Sequence, residues 1–142
     1  MAGIVATAET DIEAAPARVW SALTGPAQIK RYMFGSQVET DWEPGSAIVW
    51  KGEYQGRAYQ DKGEIVEVEP QRRLVVTHFS PMTGQEDVPE NYHTLTYVLE
   101  ARGEGTHVSL SQDNNASADE AAHSRDNWAA MLSGLKSVIE AG

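Results

Sequence analysis

The amino-acid sequence predicts an α+β fold in which a curved antiparallel sheet of seven strands wraps around a long C-terminal helix, with two short helices after the first strand. Runs of alternating apolar and polar residues recur as far as residue 112, and this period of two is typical of half-buried strands. After residue 117 the apolar residues recur at helical spacing. Because an amphipathic helix must bury its apolar stripe, and the sheet offers the only large apolar surface, we expect the helix to pack across the sheet.

The first strand is predicted from the alternation in residues 4–12. It should bury one face, formed by Ile4, Ala6, Ala8 and Ile12. Pro16 then suits the first turn of a helix, where the missing N–H of proline costs nothing. Gly25 and Pro26 end this helix, and a second short helix is expected from Ala27 to about Tyr32.

Six further strands are predicted in the middle of the chain. Their expected ranges are 36–42, 46–54, 58–69, 72–79, 92–101 and 105–112. Pro44 followed by Gly45 suits the central positions of a type II turn, because proline presets φ and glycine accepts a positive φ. The stretch from Phe79 to Asn91 holds two prolines and a glycine and is predicted to be a long loop.

The C-terminal helix is predicted to start at a capping box. Ser117 is followed three residues later by Glu120, an arrangement in which each side chain can accept a first-turn N–H. The expected apolar stripe consists of Ala121, Trp128, Met131, Leu132, Leu135, Val138 and Ile139.

The length, net charge and cysteine count of the chain limit the classes of protein to which it can belong. The chain has 142 residues, which suits a single domain spanning residues 1–142. Its formal net charge of −10 argues against a nucleic acid or an anionic membrane as partner. The lack of cysteine excludes disulfides, thiolate catalysis and cysteine-ligated zinc. No run approaches the roughly 20 apolar residues of a membrane span, and no signal-peptide pattern is evident, so a cytoplasmic protein is expected.

Several segments resemble one known superfamily. Residues 12–24 (IEAAPARVWSALT) resemble the opening of the START-like (SRPBCC) superfamily and, more narrowly, of homologues of the activator of heat-shock protein 90 ATPase. Three further segments fit the same family: Pro44-Gly45, residues 63–74 (GEIVEVEPQRRL), and Trp128 with Leu132 and Leu135. The resemblance implies a helix-grip fold with a cavity between sheet and helix, commonly used for apolar or amphipathic ligands.

Inward-facing aromatic and sulfur-containing side chains are candidates for lining such a cavity. Trp50 could form a cavity wall or belong to the packed core, and the same two interpretations hold for Trp128 and Met131 on the last helix. Tyr97 lies between two leucines and should point inward. Its hydroxyl could orient a ligand, bond to the backbone or reach water at the end of the sheet, and we favour a hydrogen bond within the protein.

The mouth of the cavity has several candidates too. Tyr32, Met33 and Phe34 follow the second short helix and could line the mouth or form a surface patch covered by the 79–91 loop. Glu53, close in sequence to Trp50, is the one carboxylate that we consider for acid–base chemistry, which needs a carboxyl group in an apolar pocket.

Three histidines, His78, His93 and His107, fall on consecutive predicted strands. Alternation places His93 on the face of Tyr97 and His107 on the opposite face, so these two cannot converge on one metal ion. His78 and His93 could form an inward polar pair, a proton acceptor or a two-histidine metal site. Because no carboxylate ligand is evident near them, we predict no metal and no cofactor.

The leading functional hypothesis is a non-catalytic domain that binds a small hydrophobic or aromatic ligand between the sheet and the last helix. The candidate cavity-lining residues are Trp50, Tyr97, Trp128, Met131, His93, His78, Tyr32 and Phe34. One alternative is an aromatase/cyclase- or hydrolase-like enzyme that uses an inward His or Glu. Another is a chaperone-interaction module of the kind that the resemblance implies.

Overall fold

The structure, a computed structural model, describes residues 3–33, 35–81 and 84–141. The chain begins with β1 (Ile4–Ile12), α1 (Pro16–Thr24) and α2 (Pro26–Tyr32). Six strands follow: β2 (Gln37–Glu39), β3 (Ala47–Tyr54), β4 (Arg57–Glu69), β5 (Arg73–His78), β6 (His93–Arg102) and β7 (Gly105–Asn115). The last element is α3 (Ala118–Ala141). The predicted α+β helix-grip fold, with two short helices after the first strand, is therefore confirmed.

All seven strands form one antiparallel sheet in the order β1-β7-β6-β5-β4-β3-β2. The register places His78 on β5 directly opposite His93 on β6. It also places Trp50 on β3 opposite Asp61 on β4. Directly opposed residues of an antiparallel pair point to the same face of the sheet, so each pair presents its two side chains together.

The C-terminal half of α3 packs tightly against the rest of the fold. Leu132 and Leu135 have no exposed surface. Gly134 lets the helix approach α2, since a Cβ at this position would lie only 3.3 Å from the carbonyl oxygen of Tyr32. The guanidinium group of Arg18 on α1 donates to the carbonyl oxygen of Ile139 at 2.5 Å, which satisfies a carbonyl near the helix end.

Two local predictions are confirmed in detail. Gly45 has a φ of +90°, and the N–H of Ser46 donates to the carbonyl oxygen of Glu43 at 2.9 Å, as a type II turn requires. At the start of α3 the Ser117 hydroxyl accepts the N–H of Glu120 at 3.1 Å. The Glu120 carboxylate accepts the N–H of Ala116 at 2.6 Å, one residue before the position of an ideal capping box.

Three strand predictions need correction. β2 is only three residues long, shorter than the predicted 36–42, and β7 continues to Asn115 instead of ending at residue 112. Ile4 is 43% exposed, not buried, and its neighbour Val5 is exposed as well; this end of the edge strand β1 lies beyond an irregularity in the β1–β7 register between Ile4 and Ala6. The extension of β7 matters for the site described below, because its last residues carry amide side chains.

The helices of the described ranges include none that combines the length and the apolar character that crossing a membrane requires.

Candidate functional site

A cavity of about 360 Å³ lies between the sheet and the N-terminal half of α3. Its apolar walls come from Met33, Trp50, Leu95, Tyr97 and Trp128. Its inner polar groups are Ser36, Tyr59, Asp61, His78, His93, Gln112 and Ser124, and its border includes Ser80, Gln85, Asn91, Glu120, His123 and Asn127. The volume falls within the range of roughly 300–1,000 Å³ that is usual for small-molecule sites.

The space exists because the first half of α3 carries few large apolar side chains. Between Ala118 and Asn127 the buried residues are Ala121 and Ser124, whose side chains are small. The apolar stripe becomes bulky only from Trp128 onward. Small side chains cannot fill the distance to the sheet, so this half of the helix covers a hollow instead of a packed core.

Asp61 and His78 form a hydrogen-bonded pair in the wall of the cavity. The His78 Nε2 atom lies 2.9 Å from Asp61 Oδ2, and both side chains are mostly covered, at 20% and 17% exposure. A carboxylate oxygen accepts hydrogen bonds, so Nε2 carries a proton, and in a neutral imidazole the lone pair is then on Nδ1. The edge of the Trp50 ring system approaches the His78 ring, with 5.1 Å between ring centroids. Asp61 and Trp50 thus fix the orientation of the His78 ring.

The second carboxylate oxygen of Asp61 is unusual. Oδ1 is buried and has no hydrogen-bond partner among the described residues. Buried polar atoms normally have a partner, because an unsatisfied one costs roughly 1–3 kcal/mol. The cavity wall beside His78 therefore contains a carboxylate oxygen that can still accept a hydrogen bond.

His93 is oriented by the backbone of β7. Its Nδ1 atom lies 2.9 Å from the carbonyl oxygen of Asp113, which can only accept, so Nδ1 carries a proton, and in a neutral imidazole the lone pair is then on Nε2. The side chain of Asp113 also accepts the N–H of Thr94 at 2.6 Å, which ties β7 to the start of β6. His78 and His93 consequently line one cavity from neighbouring strands, each with one ring nitrogen already engaged.

A network of amide and hydroxyl groups ties α3 to the end of β7. The indole N–H of Trp128 donates to Gln112 Oε1 at 2.6 Å, and Gln112 Nε2 donates to the Ser124 hydroxyl at 3.3 Å. Ser124 in turn donates to Asn115 Oδ1 at 2.9 Å, and Asn115 donates to the carbonyl oxygen of Ile4 at 2.9 Å. The network fixes the Trp128 ring as a cavity wall and uses its only polar hydrogen.

Three tyrosines surround the interior and differ in their hydroxyl partners. Tyr32 donates to the carbonyl oxygen of Leu23 at 2.7 Å, and the hydroxyls of Tyr59 and Ser36 bond to each other. No partner for the Tyr97 hydroxyl is found within the described residues, which differs from the hydrogen bond favoured by the sequence. Burial raises the pKa of Tyr97 well above its ordinary value, so this side chain stays a neutral phenol that can donate or accept.

Gly63 permits the close approach of β4 and β5 next to the Asp61–His78 pair. A Cβ at position 63 would lie 1.8 Å from the carbonyl oxygen of Thr77, which no side chain can accept. Backbone hydrogen bonds of 3.0 and 2.7 Å between Lys62 and Phe79 hold the two chains together at this point. The absence of a side chain at position 63 therefore brings β5 close enough for His78 to reach Asp61.

The predicted loop borders the cavity, with Ser80, Gln85 and Asn91 at its edge. Part of it is anchored to β4, because Lys62 forms an ion pair with Asp87. The hydrogen bond from Lys62 lowers the pKa of Asp87, and Tyr92 also donates to this carboxylate, at 2.5 Å.

The structure brings five of the eight predicted residues to the cavity, and their role in binding stays a prediction. They are Trp50, His78, His93, Tyr97 and Trp128. Met131 and Tyr32 are buried in the core and do not line it, while Met33, considered for the mouth, does. Phe34 lies outside the described residues. Glu53 is exposed, so it is not the inward carboxylate that the enzyme hypothesis needs.

Sequence reasoning missed Asp61 and Gln112. Both could have been found from alternation: Asp61 lies four residues before the buried Ile65 on β4, and Gln112 lies two residues after the buried Leu110 on β7. Each shares the inward face of its strand with its buried neighbour.

The third strand histidine lies elsewhere. His107 forms hydrogen bonds with Glu9 and Asp11, at 2.8 and 2.7 Å, outside the cavity. Within the described ranges, no three His, Asp or Glu side chains are grouped in a way that could hold a metal ion.

Comparisons with known proteins agree with this architecture. The structure is similar to the solution structure of ChR145 from Cytophaga hutchinsonii, with 48% identity, a TM-score of 0.86, and coverage of 99% of this chain and 97% of that one. It is similar to the Aha1 dimer from Colwellia psychrerythraea at 21% identity, with a TM-score of 0.75 and 96% of each chain covered. DynU16, a protein of the dynemicin biosynthetic locus, is 17% identical with a TM-score of 0.79, and the match covers 96% of this chain and 47% of that one.

The comparison of sequences gives a family. No match was found among curated proteins. Residues 13–140, nearly the whole chain, match the family described as Activator of Hsp90 ATPase homolog 1-like protein. The chain therefore belongs to the Activator of Hsp90 ATPase homolog 1-like family.

Proposed function

We propose that this protein binds a small aromatic ligand in the cavity between the sheet and the N-terminal half of α3. The observation that carries the proposal is the placement of three aromatic side chains, Trp50, Tyr97 and Trp128, around one cavity of about 360 Å³. Rigid aromatic rings supply large contact areas and favour other aromatic groups through stacked or edge-to-face packing. The fold of this family commonly binds hydrophobic ligands, which supports the same conclusion.

The lining is more polar than a purely apolar ligand would need. Two oriented histidines, an aspartate and a tyrosine hydroxyl share the cavity with the aromatic walls. A few fixed polar groups among apolar walls are typical of sites that orient a ligand. We therefore expect an aromatic ligand that carries at least one polar group. The likeness to a protein of a biosynthetic locus is consistent with a small organic molecule of this kind.

Titration with N-phenyl-1-naphthylamine, a neutral aromatic probe whose fluorescence rises in apolar surroundings, tests the proposal. We expect saturable binding of one probe per chain, accompanied by a change in tryptophan emission. In a Leu95→Trp variant the new ring would occupy the cavity, and we expect probe binding to fall at least tenfold. The matched control is Thr96→Trp on the same strand, since residue 96 points to the opposite face of the sheet.

The proposal fails if the wild-type protein shows no saturable probe signal. It also fails if the Leu95→Trp and Thr96→Trp variants bind equally well. Circular dichroism and thermal unfolding establish that both variants are folded before they are compared. Native mass spectrometry of the purified protein gives an independent readout, because a co-purified aromatic molecule would appear as a mass increment.

A proton-transfer enzyme is the second candidate function, favoured by the Asp61–His78 pair. An aspartate that orients a histidine beside an open cavity is an arrangement that general acid–base catalysis uses. Hydrolysis of p-nitrophenyl esters by the wild-type protein, lost in a His78→Gln variant and kept in a His107→Gln variant outside the cavity, would support this function. The chaperone-interaction alternative rests on family membership and stays a prediction.

A further inference from the structure

We infer that the ligand of this cavity is an aromatic hydrogen-bond donor, a molecule with a ring O–H or N–H group that is held by the imidazole lone pairs of His78 and His93. The inference rests on the proposed function and adds the chemistry of the polar group. It starts from the hydrogen bonds that the two rings already make.

Each histidine donates an N–H to a group that can only accept a hydrogen bond. His78 Nε2 is 2.9 Å from a carboxylate oxygen of Asp61, and His93 Nδ1 is 2.9 Å from the carbonyl oxygen of Asp113. A neutral imidazole has one N–H and one lone pair. The lone pairs are therefore on the remaining ring nitrogens, Nδ1 of His78 and Nε2 of His93.

The two rings stand next to each other. His78 and His93 are directly opposite in the β5–β6 register, and both line the cavity. Side chains in such positions have Cβ atoms roughly 4.5–5.5 Å apart. One polar group of a ligand bound between the aromatic walls can therefore meet either ring nitrogen.

The surroundings favour a donor over an acceptor, although the Tyr97 hydroxyl, which can donate or accept, also lines the cavity. The indole N–H of Trp128, a donor in the wall, is already bound by Gln112. Asp61 contributes a buried carboxylate oxygen with no partner among the described residues, which makes this end of the cavity electrostatically negative. An anionic ligand would meet this negative potential, as well as the net charge of −10 that the whole chain carries. Neutral phenols and arylamines fit the combination, and aromatic carboxylates do not.

Competition against N-phenyl-1-naphthylamine at pH 8 tests the inference with three ligands of nearly equal size. 1-Naphthol can donate a hydrogen bond, 1-methoxynaphthalene cannot, and 1-naphthoate is an anion. We expect 1-naphthol to bind about tenfold more tightly than 1-methoxynaphthalene, which is the ratio that one well-placed hydrogen bond produces. 1-Naphthoate should bind most weakly.

Two variants assign the preference to the histidines. His93→Phe keeps an aromatic ring and removes the lone pair, and we expect the preference for 1-naphthol to fall to about twofold while 1-methoxynaphthalene binds as before. His78→Phe should act likewise. The matched control is His107→Phe, because His107 bonds Glu9 and Asp11 on the opposite face of the sheet and does not line the cavity; it should leave the preference unchanged. If His78→Phe does not fold, because Asp61 loses its partner, the His93→Phe result decides.

Equal affinity of wild-type protein for 1-naphthol and 1-methoxynaphthalene would overturn the inference, and so would a preference that survives in His93→Phe. These failures differ from failure of the proposed function. If the naphthylamine probe binds in a saturable manner and no donor preference is seen, the cavity is a ligand site and only the donor chemistry is wrong. If no probe binds at all, both are wrong.

Discussion

The two ends of the interior are built from the same sheet and the same helix, yet one is packed and the other is hollow. At the packed end, α3 presents Leu132, Leu135 and Ile139, which are almost completely buried against the rest of the fold. At the hollow end, the same helix presents Ser124 together with the polar side chains of Glu120, His123 and Asn127, and leaves a cavity of about 360 Å³. Side-chain size along a single helix therefore decides where this fold is stable and where it can accept a ligand.

The packed end and the hollow end also differ in the hydrogen bonds that hold α3. At the hollow end α3 is tied to the sheet by the Trp128–Gln112–Ser124 hydrogen bonds. At the packed end apolar contacts dominate, and the hydrogen bond from Arg18 to the carbonyl oxygen of Ile139 lies at the helix terminus. Replacing apolar contacts by directed hydrogen bonds keeps the helix in place above a space that it does not fill.

The largest effect is expected at the packed end. Leu135→Ala should lower the free energy of unfolding by about 3 kcal/mol, because it removes a fully buried side chain and leaves a void that the neighbours cannot close. Leu95→Ala should cost about 1 kcal/mol less, since Leu95 already borders the cavity. Urea denaturation of both variants measures the difference. Equal costs would mean that the two ends are packed alike in solution.

The second effect concerns the close approach that forms the hollow end. Gly63→Ala should lower the free energy of unfolding by about 2 kcal/mol, because its Cβ collides with the backbone of Thr77 and β5 must move away. The displacement should separate His78 from Asp61 and weaken probe binding as well. Glu64→Ala, at the next and exposed position, is the control and should change neither quantity. A Gly63→Ala protein as stable as the wild type would contradict the packing described for β4 and β5.

The third effect concerns the hydrogen bonds that position α3 over the cavity. Gln112→Leu should cost about 1.5 kcal/mol, because the indole N–H of Trp128 loses its acceptor in a covered position. We also expect a shift in tryptophan emission, since the ring is no longer held. Gln60→Leu, at an exposed position of β4, is the matched control. Unfolding curves and emission spectra indistinguishable from those of the wild type would show that the network does not hold the helix.

The sequence predicted the fold well, because most elements are encoded locally. The alternation in β6, the turn at Gly45 and the cap at Ser117 each depend on a few neighbouring residues, and the structure has all three. The exposure of Ile4 could not be foreseen in this way. Ile4 lies at the edge of the sheet, next to an irregular register against β7, whose partner residues lie more than a hundred positions away.

The candidate site was predicted only in part, and Asp61 shows why. The sequence contains many carboxylates, and a carboxylate on a strand is most simply expected in water. The alternation along β4 indicates instead that Asp61 points inward, because it shares a face of the strand with the buried Ile65. The contact with His78 then depends on the approach permitted by Gly63, which is a property of two paired strands and not of either sequence segment alone.

The smallest effect is expected outside the cavity, where His107 lies between two carboxylates. Hydrogen bonds with Glu9 and Asp11 raise the pKa of His107, and the bond with His107 lowers the pKa of Asp11.

The raised pKa of His107 contributes stability that is complete below about pH 6.5, the ordinary value, and is lost as pH rises through the folded-state pKa. The lowered aspartate pKa contributes stability that is present above about pH 3.8 and is lost as pH falls. The difference in urea midpoint between wild type and His107→Gln should therefore be largest between pH 4 and 6.5 and shrink as the pH rises through the folded-state pKa of His107. Probe binding in the cavity should be unaffected at every pH by this substitution, because His107 does not line it. A variant that loses probe binding would show that the outer face of the sheet and the hollow end are coupled.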